Sequence, residues 1–478
     1  MRLRTHLAAA ALTTLAFVSA GPAVAHAGGF YVPEIGPRGV AMGGAMAAED
    51  ADPSAVFHNP AGLVGLAGTS EVQVAGGAFL PDLSYFRRPV LDPSTGEMVS
   101  FDRVGNRNKM AFVPYAGASF ATPWPGLELG FAVYAPFGAT IEYPVDGAQR
   151  QVVTGIALRT IYASPAIAYQ LPHGFRVGLT LSYIYSDLTL DQANALPYVT
   201  GDPEEYPNPD PGLEGTSHIT GKDSASFGAT LGAQWRDPSG QLTVGASVMT
   251  PTDLEMTGDA LVTNAQIGEL TDANGNVMQP AGSRRDTVRI DVPLPLVARA
   301  GVSWRATRHT HVSLVVNYQR WSTFEKLVVD FENEVELLPP PGANLYDVTV
   351  ENRWRDSWTA RLGAESQPWH QTPLWLRAGV LADQSPIDDR HFGLLTPDSD
   401  KLGLSGGLAW AFTLAGGQRV DVDLSYLHLF LRERNIEPGA DGTPGSDGTV
   451  LNKPAPSFYE GVTRAAFDVL YVAATVRL

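Results

Sequence analysis

The chain has 478 residues, 44% hydrophobic and 17% charged, with 49 Gly, 36 Pro and no Cys. A bundle of membrane helices is excluded, because each spanning helix needs roughly 20 consecutive apolar residues and only the extreme N-terminus approaches that. The missing Cys excludes disulfide staples, thiolate metal sites and a Cys nucleophile, and a formal charge of -17 argues against a nucleic-acid partner, which needs a Lys/Arg surplus.

Residues 1 to 27 read as an export signal. Arg2 and Arg4 supply the positive region, Leu7 to Ala20 the apolar stretch, and Ala25-His26-Ala27 a small-x-small cleavage site after the break at Gly21-Pro22. The apolar run is too short to span a bilayer, which predicts cleavage after Ala27. Taking Arg2 and Arg4 from the 33 basic residues leaves 31 against 50 acidic ones, so the exported chain is more acidic still.

From Glu71 onwards, strand-like runs alternate with connections that are short, then long. The short ones, at residues 123 to 126, 171 to 174, 236 to 240, 306 to 310, 367 to 373 and 414 to 418, have tight-turn compositions. The long ones, near 87 to 109, 191 to 222, 258 to 288, 329 to 350, 385 to 400 and 433 to 460, are rich in Pro, Gly and Asp, with a shorter connection near 144 to 153. About 14 strands with both termini on the short-turn side predict an all-β fold, a transmembrane antiparallel barrel of the bacterial outer membrane with its long loops outside.

Alternation assigns the faces. In the last run Leu470, Val472, Ala474, Val476 and Leu478 should meet lipid, while Tyr471, Ala473, Thr475 and Arg477 should meet the lumen. Leu242, Val244, Ala246 and Val248 alternate in the same way with Thr243, Gly245, Ser247 and Met249.

Residues 28 to 68 are different: dense in Gly and Ala and too irregular for a strand. The stretch AMGGAMAAEDA predicts a short helix ended by Pro53. A solvated tail would not need Phe30, Tyr31, Val56, Phe57 and Leu63, so the segment is expected to plug the barrel. The organisation expected is therefore a signal over 1–27, a plug over 28–68 and a barrel over 69–478.

These residues resemble the FadL/TodX family of outer-membrane transporters for long-chain fatty acids and other hydrophobic compounds. Gly29-Phe30, the small residues Gly39 to Gly44, Glu49-Asp50-Ala51 and above all Asn59-Pro60-Ala61 are similar to that family's N-terminal hatch. YAPFG at 134 to 138, SPAIAYQL at 164 to 171, YQRWSTFEKL at 318 to 327, RAGVLADQSP at 377 to 386 and TPDSDK at 396 to 401 extend the resemblance through the barrel. Leu478 departs from the terminal aromatic usual in outer-membrane barrels. The resemblance implies a passive, monomeric, hatch-plugged barrel surrounded by outer-membrane lipid and lipopolysaccharide, with no cofactor. It also implies a hydrophobic ligand leaving sideways into the membrane where the third strand kinks inward. The hatch residues would be Phe30, Phe57, Asn59, Pro60 and Ala61, and the lateral opening Pro136, Phe137 and Gly138, where Pro removes a ladder donor and Gly packs nothing.

Two other functions compete. A polar-solute porin would need a wide charged lumen, against which the apolar hatch argues. An outer-membrane lipid-modifying enzyme would need Ser and His on adjacent strand ends facing the bilayer. Gly403 to Gly407 matches G-x-S-x-G around Ser405, yet inside a strand rather than a strand-to-helix elbow. His309-Thr310-His311 has no acidic neighbour for a metal, and Asp272 to Asn276 starts like a calcium loop but has Val277 in place of the turn Gly. The acidic group Asp202, Glu204, Glu205, Asp210 and Glu214 reads as a solvated outer loop. Among the outer-loop cations Arg87, Arg88, Arg103, Arg107 and Lys109, nothing in the sequence selects one for a ligand carboxylate.

Overall fold

The computed structural model describes residues 29–478 apart from 67, 92–95, 109, 195–213, 265–266, 268, 272–273, 334, 337–343, 346–347, 370, 390 and 437–459. The export signal and most of the acidic group therefore lie outside the described residues.

The wall is crossed by fourteen strands: β1 (Glu71–Arg87), β2 (Ala111–Ala121), β3 (Leu127–Tyr134 and Gly138–Glu142), β4 (Gly155–Gln170), β5 (Phe175–Asn194), β6 (Gly215–Arg236), β7 (Leu242–Met249 and Thr252–Thr263), β8 (Ser283–Leu294 and Val297–Thr307), β9 (Thr310–Gln319 and Lys326–Phe331), β10 (Val348–Glu351 and Ser357–Ser366), β11 (Leu374–Asp383), β12 (Lys401–Thr413), β13 (Arg419–Leu431) and β14 (Gly461–Arg477). Each pairs antiparallel with its chain neighbours, and β14 returns to β1 from Arg477↔Glu71 to Gly461↔Arg87. Apart from one gap between β2 and β3, closure leaves no sheet edge, so backbone groups can be satisfied without water. All six short connections fall where expected. The long ones are narrower than the sequence suggests: Gly215–Lys222 still pair with Asn194–Asp187, and Thr263 and Ser283 still pair across residues assigned to a loop. A ladder needs backbone alone, so it continues through Thr, Ser and Gly where side chains carry no apolar alternation.

The faces agree with the alternation. Leu470 and Val472 are exposed at 39% and 53%, whereas Tyr471 and Ala473 are buried. Val244 and Val248 point outward while Thr243 and Ser247 are buried.

Irregularities in the ladder occur at one height. A bulge interrupts β6 at Asp223/Ser226, and β7, β8, β9 and β10 break at 250–251, 295–296, 320–325 and 352–356. Ala229 and Thr250 are bonded across β6 and β7, which places the first two breaks side by side. Below this seam the outward residues are apolar, such as Phe227, Leu231, Val248 and Val302. Above it they are charged and exposed: Asp253, Glu255 and Asp259 on β7, Arg285, Arg289 and Asp291 on β8. The inward face does the reverse. Above the seam Leu254, Met256, Val288, Ile290 and Val292 form part of one buried apolar cluster. Below it the buried inward residues include Gln234, Arg299, Ser303, Arg361 and Glu365.

Candidate functional site

Residues 29–66 run through the lumen, and almost all are buried. The helix expected over 41 to 51 is displaced. One short helix, α1 (Pro37–Ala41), starts at a Pro in the first turn, and a second, α2 (Ala55–His58), leads into a 3-10 turn over Pro60–Leu66. Between them Gly43 and Gly44 adopt φ of 60° and 77°, which breaks the helix. A Cβ on Gly44 would also stand 3.1 Å from Arg361 Cζ. Phe30, Tyr31, Val56, Phe57 and Leu63 are all buried.

Polar side chains of the lower wall reach the segment. Arg38 donates to both Glu365 oxygens, from Nε at 3.1 Å and from NH2 at 3.0 Å, and to Glu49 Oε2 at 2.6 Å. Arg361, with no exposed side-chain surface, donates to Glu34 Oε1 at 2.5 Å and to the Gly43 carbonyl at 2.7 Å. Asp50 accepts from Arg176 at 2.7 Å and Arg236 at 3.1 Å. Burial would raise the Asp50 pKa, but these two guanidiniums hold it below the usual carboxylate range.

Asn59 donates from Nδ2 to the carbonyls of Ala47 at 2.7 Å and Ala233 at 3.1 Å, and its Oδ1 accepts from the Ala61 amide at 3.2 Å. Glycines in the wall give this element room: a Cβ at Gly178 would stand 2.5 Å from Ala61 N, and one at Gly232 would stand 2.8 Å from Pro60 Cδ. Gly inside a strand is the sequence signal for such a close approach, and it stands at both positions. Asn59→Ala leaves the Ala61 amide without its acceptor and the Ala47 carbonyl with only a long 3.4 Å bond from Gln234 Nε2, at a cost of about 1–3 kcal/mol. The expected result is faster protease cleavage within residues 29–66 and altered ligand flux, with the heat-resistant barrel band unchanged. Unchanged cleavage together with unchanged flux contradicts it.

His58 donates from Nε2 to the Ile35 carbonyl at 2.9 Å. Burial, reinforced by Arg299, Arg361 and Arg38, pushes its pKa down to about 3. A depressed histidine pKa contributes stability that is present above about 6.5 and lost as pH falls through the interval towards 3. As pH falls below 6.5 the docking of this segment should weaken, with a slope that rises towards a limit of about 1.4 kcal/mol per unit. Protease protection of residues 29–66 measured against pH should fall in wild type and stay flat in His58→Gln.

The wall is interrupted beside this segment. The β2–β3 ladder runs from Ala121↔Glu128 to Ala116↔Val133 and stops, leaving Ala111–Tyr115 of β2 without a partner on β3, about 17 Å of strand. The β3–β4 ladder steps from Tyr134↔Tyr162 to Gly138↔Arg159, one extra residue on β3. All of Tyr134 to Ala139 are buried, so the chain has turned inward. Its backbone groups are satisfied there: Val32 N donates to Pro136 O at 2.7 Å, Gly138 N donates to Phe30 O at 2.8 Å, and Thr160 Oγ1 donates to Phe137 O at 2.7 Å. Pro136, Phe137 and Gly138 thus pair with the N-terminal segment instead of β2. Across the break, Ala121 turns its N–H to Ser70 beside β1. Two-residue alternation then turns the nitrogen of Pro114 into the gap, where a missing donor costs nothing.

Aromatic rings close the break from inside. The Tyr31 ring lies 5.0 Å from Phe137, and Phe30 packs 4.9 Å from Trp321 and 5.8 Å from Phe324 and Trp354. Arg299 donates to Tyr31 Oη at 2.7 Å and lies 4.6 Å over the Phe57 ring. It is buried, its Nε has no partner, and among the described residues no carboxylate pairs with it.

Residues 18–453 match the sequence model of a family described as outer membrane protein transport protein (OMPP1/FadL/TodX). The chain belongs to that family. It is an outer-membrane β-barrel of a family of hydrophobic-compound transporters. The outer membrane protein NMB0088 of Neisseria meningitidis serogroup B is 24% identical over 428 residues, 85% of this chain and 87% of the relative. Among solved structures, a Pseudomonas aeruginosa FadL homologue superposes with a TM-score of 0.74 at 17% identity, over 94% of this chain and 99% of that one. The toluene transporters TbuX of Ralstonia pickettii (TM-score 0.62, 16% identity, 92% and 98% covered) and TodX of Pseudomonas putida (0.62, 14%, 94% and 99%) share the fold.

The other motifs settle into the barrel. Ser405 lies within β12 and donates to the Ala41 carbonyl at 2.9 Å. His311, without an acidic neighbour in sequence, has Glu49 at 4.0 Å from its Nδ1, though no metal-binding cluster forms among the described residues. Of the acidic group, Glu214 is described and is paired by Arg150 at 2.7 Å and 2.9 Å. Residues 272–273 and Lys109 lie outside the described residues.

Proposed function

We propose that the protein takes up long-chain fatty acids or similar amphiphiles passively, past an N-terminal hatch, and releases them sideways into the membrane between β2 and β3. The observation that carries this reading is the ladder break at Ala116↔Val133 together with the reversal of lumen polarity below it. An acyl chain loses about 0.8 kcal/mol for each methylene it exposes to a polar surrounding. The charged lower lumen therefore opposes descent to the periplasm, and the break offers an apolar exit. Glycines seating Asn59-Pro60-Ala61, and rings placing Phe30 and Phe57 against the wall, support the hatch role. One chain closes the barrel, which supports a monomer, and no residue in this reading acts as a catalyst or needs a cofactor.

Arg299 favours a carboxylate over a neutral hydrocarbon. A buried cation without a counter-charge costs several kcal/mol, and an anionic ligand arriving beside Tyr31 offsets that. In liposomes the protein should carry a long-chain fatty acid but not a sugar of similar mass. Arg299→Met should slow the fatty acid by about tenfold, the loss of one charge-assisted contact, while leaving toluene unaffected. Sugar flux equal to fatty-acid flux would sink the uptake reading. Equal loss for fatty acid and toluene would remove the carboxylate preference alone.

A further inference from the structure

The break between β2 and β3 is closed again above. Beyond the kink β3 returns to the wall as Gly138–Glu142, and the segment Asn106-Arg107-Asn108, which precedes β2, meets it there. Asn108 donates from Nδ2 to the Thr140 carbonyl at 2.9 Å, and its Oδ1 accepts from the Glu142 amide at 3.0 Å. The Arg107 amide donates to the Glu142 carbonyl at 2.6 Å. These bonds tie the upper part of β3 to the β2 side.

The same segment is fixed to β1. β1 pairs with β2 from Glu71↔Ser119 to Phe79↔Ala111 and resumes at Ser84↔Gly105, so among the described residues no ladder pair joins Leu80–Leu83 to that side. Asn106, buried at 3% exposure, serves them instead. Its backbone N–H donates to the Leu83 carbonyl at 3.1 Å, its Oδ1 accepts from the Leu83 amide at 2.9 Å, and its Nδ2 donates to the Pro81 carbonyl at 3.0 Å. Nδ2 also donates to the Asn108 carbonyl at 2.5 Å, which holds the two asparagines together. A side-chain amide carries the donors and acceptor of a peptide group, so it can stand in for a ladder residue where the chain leaves the sheet.

The opening is therefore a window, bounded below by Ala116↔Val133 and above by Asn108. With both ends fixed the flanking strands cannot part, and the width is that of the one strand that has turned inward. Neighbouring strands lie about 4.8 Å apart, so β2 and β4 stand about 9.6 Å apart where β3 has left the wall. An acyl chain passing midway lies about 4.8 Å from each backbone, close to van der Waals contact on both sides. Two chains abreast, or a cage-shaped group, do not fit.

We propose that Asn106 and Asn108 form a clasp that sets the width of the lateral exit and so selects ligands one hydrocarbon chain thick. The inference rests on the sideways release proposed above and adds a limit on ligand shape. Without the clasp the gap would run from Val133 to the top of the barrel, and β3 could swing away from β2.

Two ligands with the same carboxylate test this: a long-chain fatty acid, and the same acid capped at its far end by an adamantyl cage. In liposomes the wild type should carry the plain acid and pass the capped one at least about tenfold more slowly, the effect of forcing extra carbons into a packed wall. Asn108→Ala, alone or with Asn106→Ala, should bring the capped acid to within about threefold of the plain one while keeping the heat-resistant band and plain-acid flux. Should the alanine variants lose that band, Asn108→Asp, which keeps the acceptor for Glu142 and loses the donor to Thr140, gives the same comparison. Joining Arg107→Cys to Glu142→Cys with a short bifunctional reagent in the Asn108→Ala protein should restore exclusion, which a general loosening of the barrel would not permit. Equal flux of both acids in wild type, exclusion unchanged in the clasp variants, or no restoration by the cross-link overturns the proposal. Plain-acid flux that survives a bridge between Pro114→Cys and Ala135→Cys refutes sideways exit itself. Flux stopped by that bridge, with exclusion unchanged in the clasp variants, refutes the clasp alone.

Discussion

Bridging β2 to β3 across the gap is expected to reduce fatty-acid flux into liposomes to that of vesicles without protein. Pro114 on β2 and Ala135 on β3 lie on either side of the gap, two positions beyond the last ladder pair, Ala116↔Val133. The sequence has no native Cys, so Pro114→Cys with Ala135→Cys gives a single reversible cross-link through oxidation or a short bifunctional reagent. Blocked chains would have to descend through the charged lower lumen at about 0.8 kcal/mol for each exposed methylene, which for a long acyl chain exceeds any thermal allowance. Gly138→Trp offers an independent wedge, and the strand should tolerate it because the wall is already interrupted there. Flux should return on reduction. Equal flux in cross-linked and reduced protein would rule out this exit and leave displacement of the hatch towards the periplasm.

Arg361→Met should release the N-terminal segment without unfolding the barrel. The guanidinium has no exposed side-chain surface, and its removal leaves Glu34 buried without its cation and the Gly43 carbonyl without its donor. Breaking a buried pair from one side costs about 3–5 kcal/mol, largely from the stranded charge. Planar-bilayer recordings should show ion conductance absent from wild type, and protease should cut within residues 29–66. Adding Glu34→Gln should restore part of the protection, since it removes the stranded charge. If the single variant stays silent and protected, this pair does not hold the segment.

How much was legible in the sequence follows from what kind of physics set each feature. Strand number, turn positions and the facing of Leu470–Arg477 depend on period-two alternation and turn residues, which are local. The seam was not legible. Thr250-Pro251, Pro295-Leu296 and the turn at Trp321 look like unrelated irregularities along the chain, and only pairing brings them to one height. The expected helix over residues 41 to 51 failed because Ala-rich composition was weighed above Gly43 and Gly44, whose positive φ ends α1 instead. In the candidate site, Pro136-Phe137-Gly138 was readable as a weak point of the wall, since Pro and Gly act on their own strand. That its free backbone groups pair with Phe30 and Val32, and that among the described residues no carboxylate pairs with Arg299, depend on residues more than a hundred positions away.

The portion of the wall above the seam has a consequence for delivery. On β7 it comprises Thr252–Thr263, twelve residues, about 40 Å along the strand and, with a barrel tilt near 40°, about 30 Å in height. Wettable outside and oily within, it is a chimney that a surface sugar layer of that height would surround. A greasy solute delivered from the medium need never dissolve in that hydrated layer, so lengthening the surface sugars to that height should leave its arrival rate unchanged. Sugars that overtop the chimney should slow it.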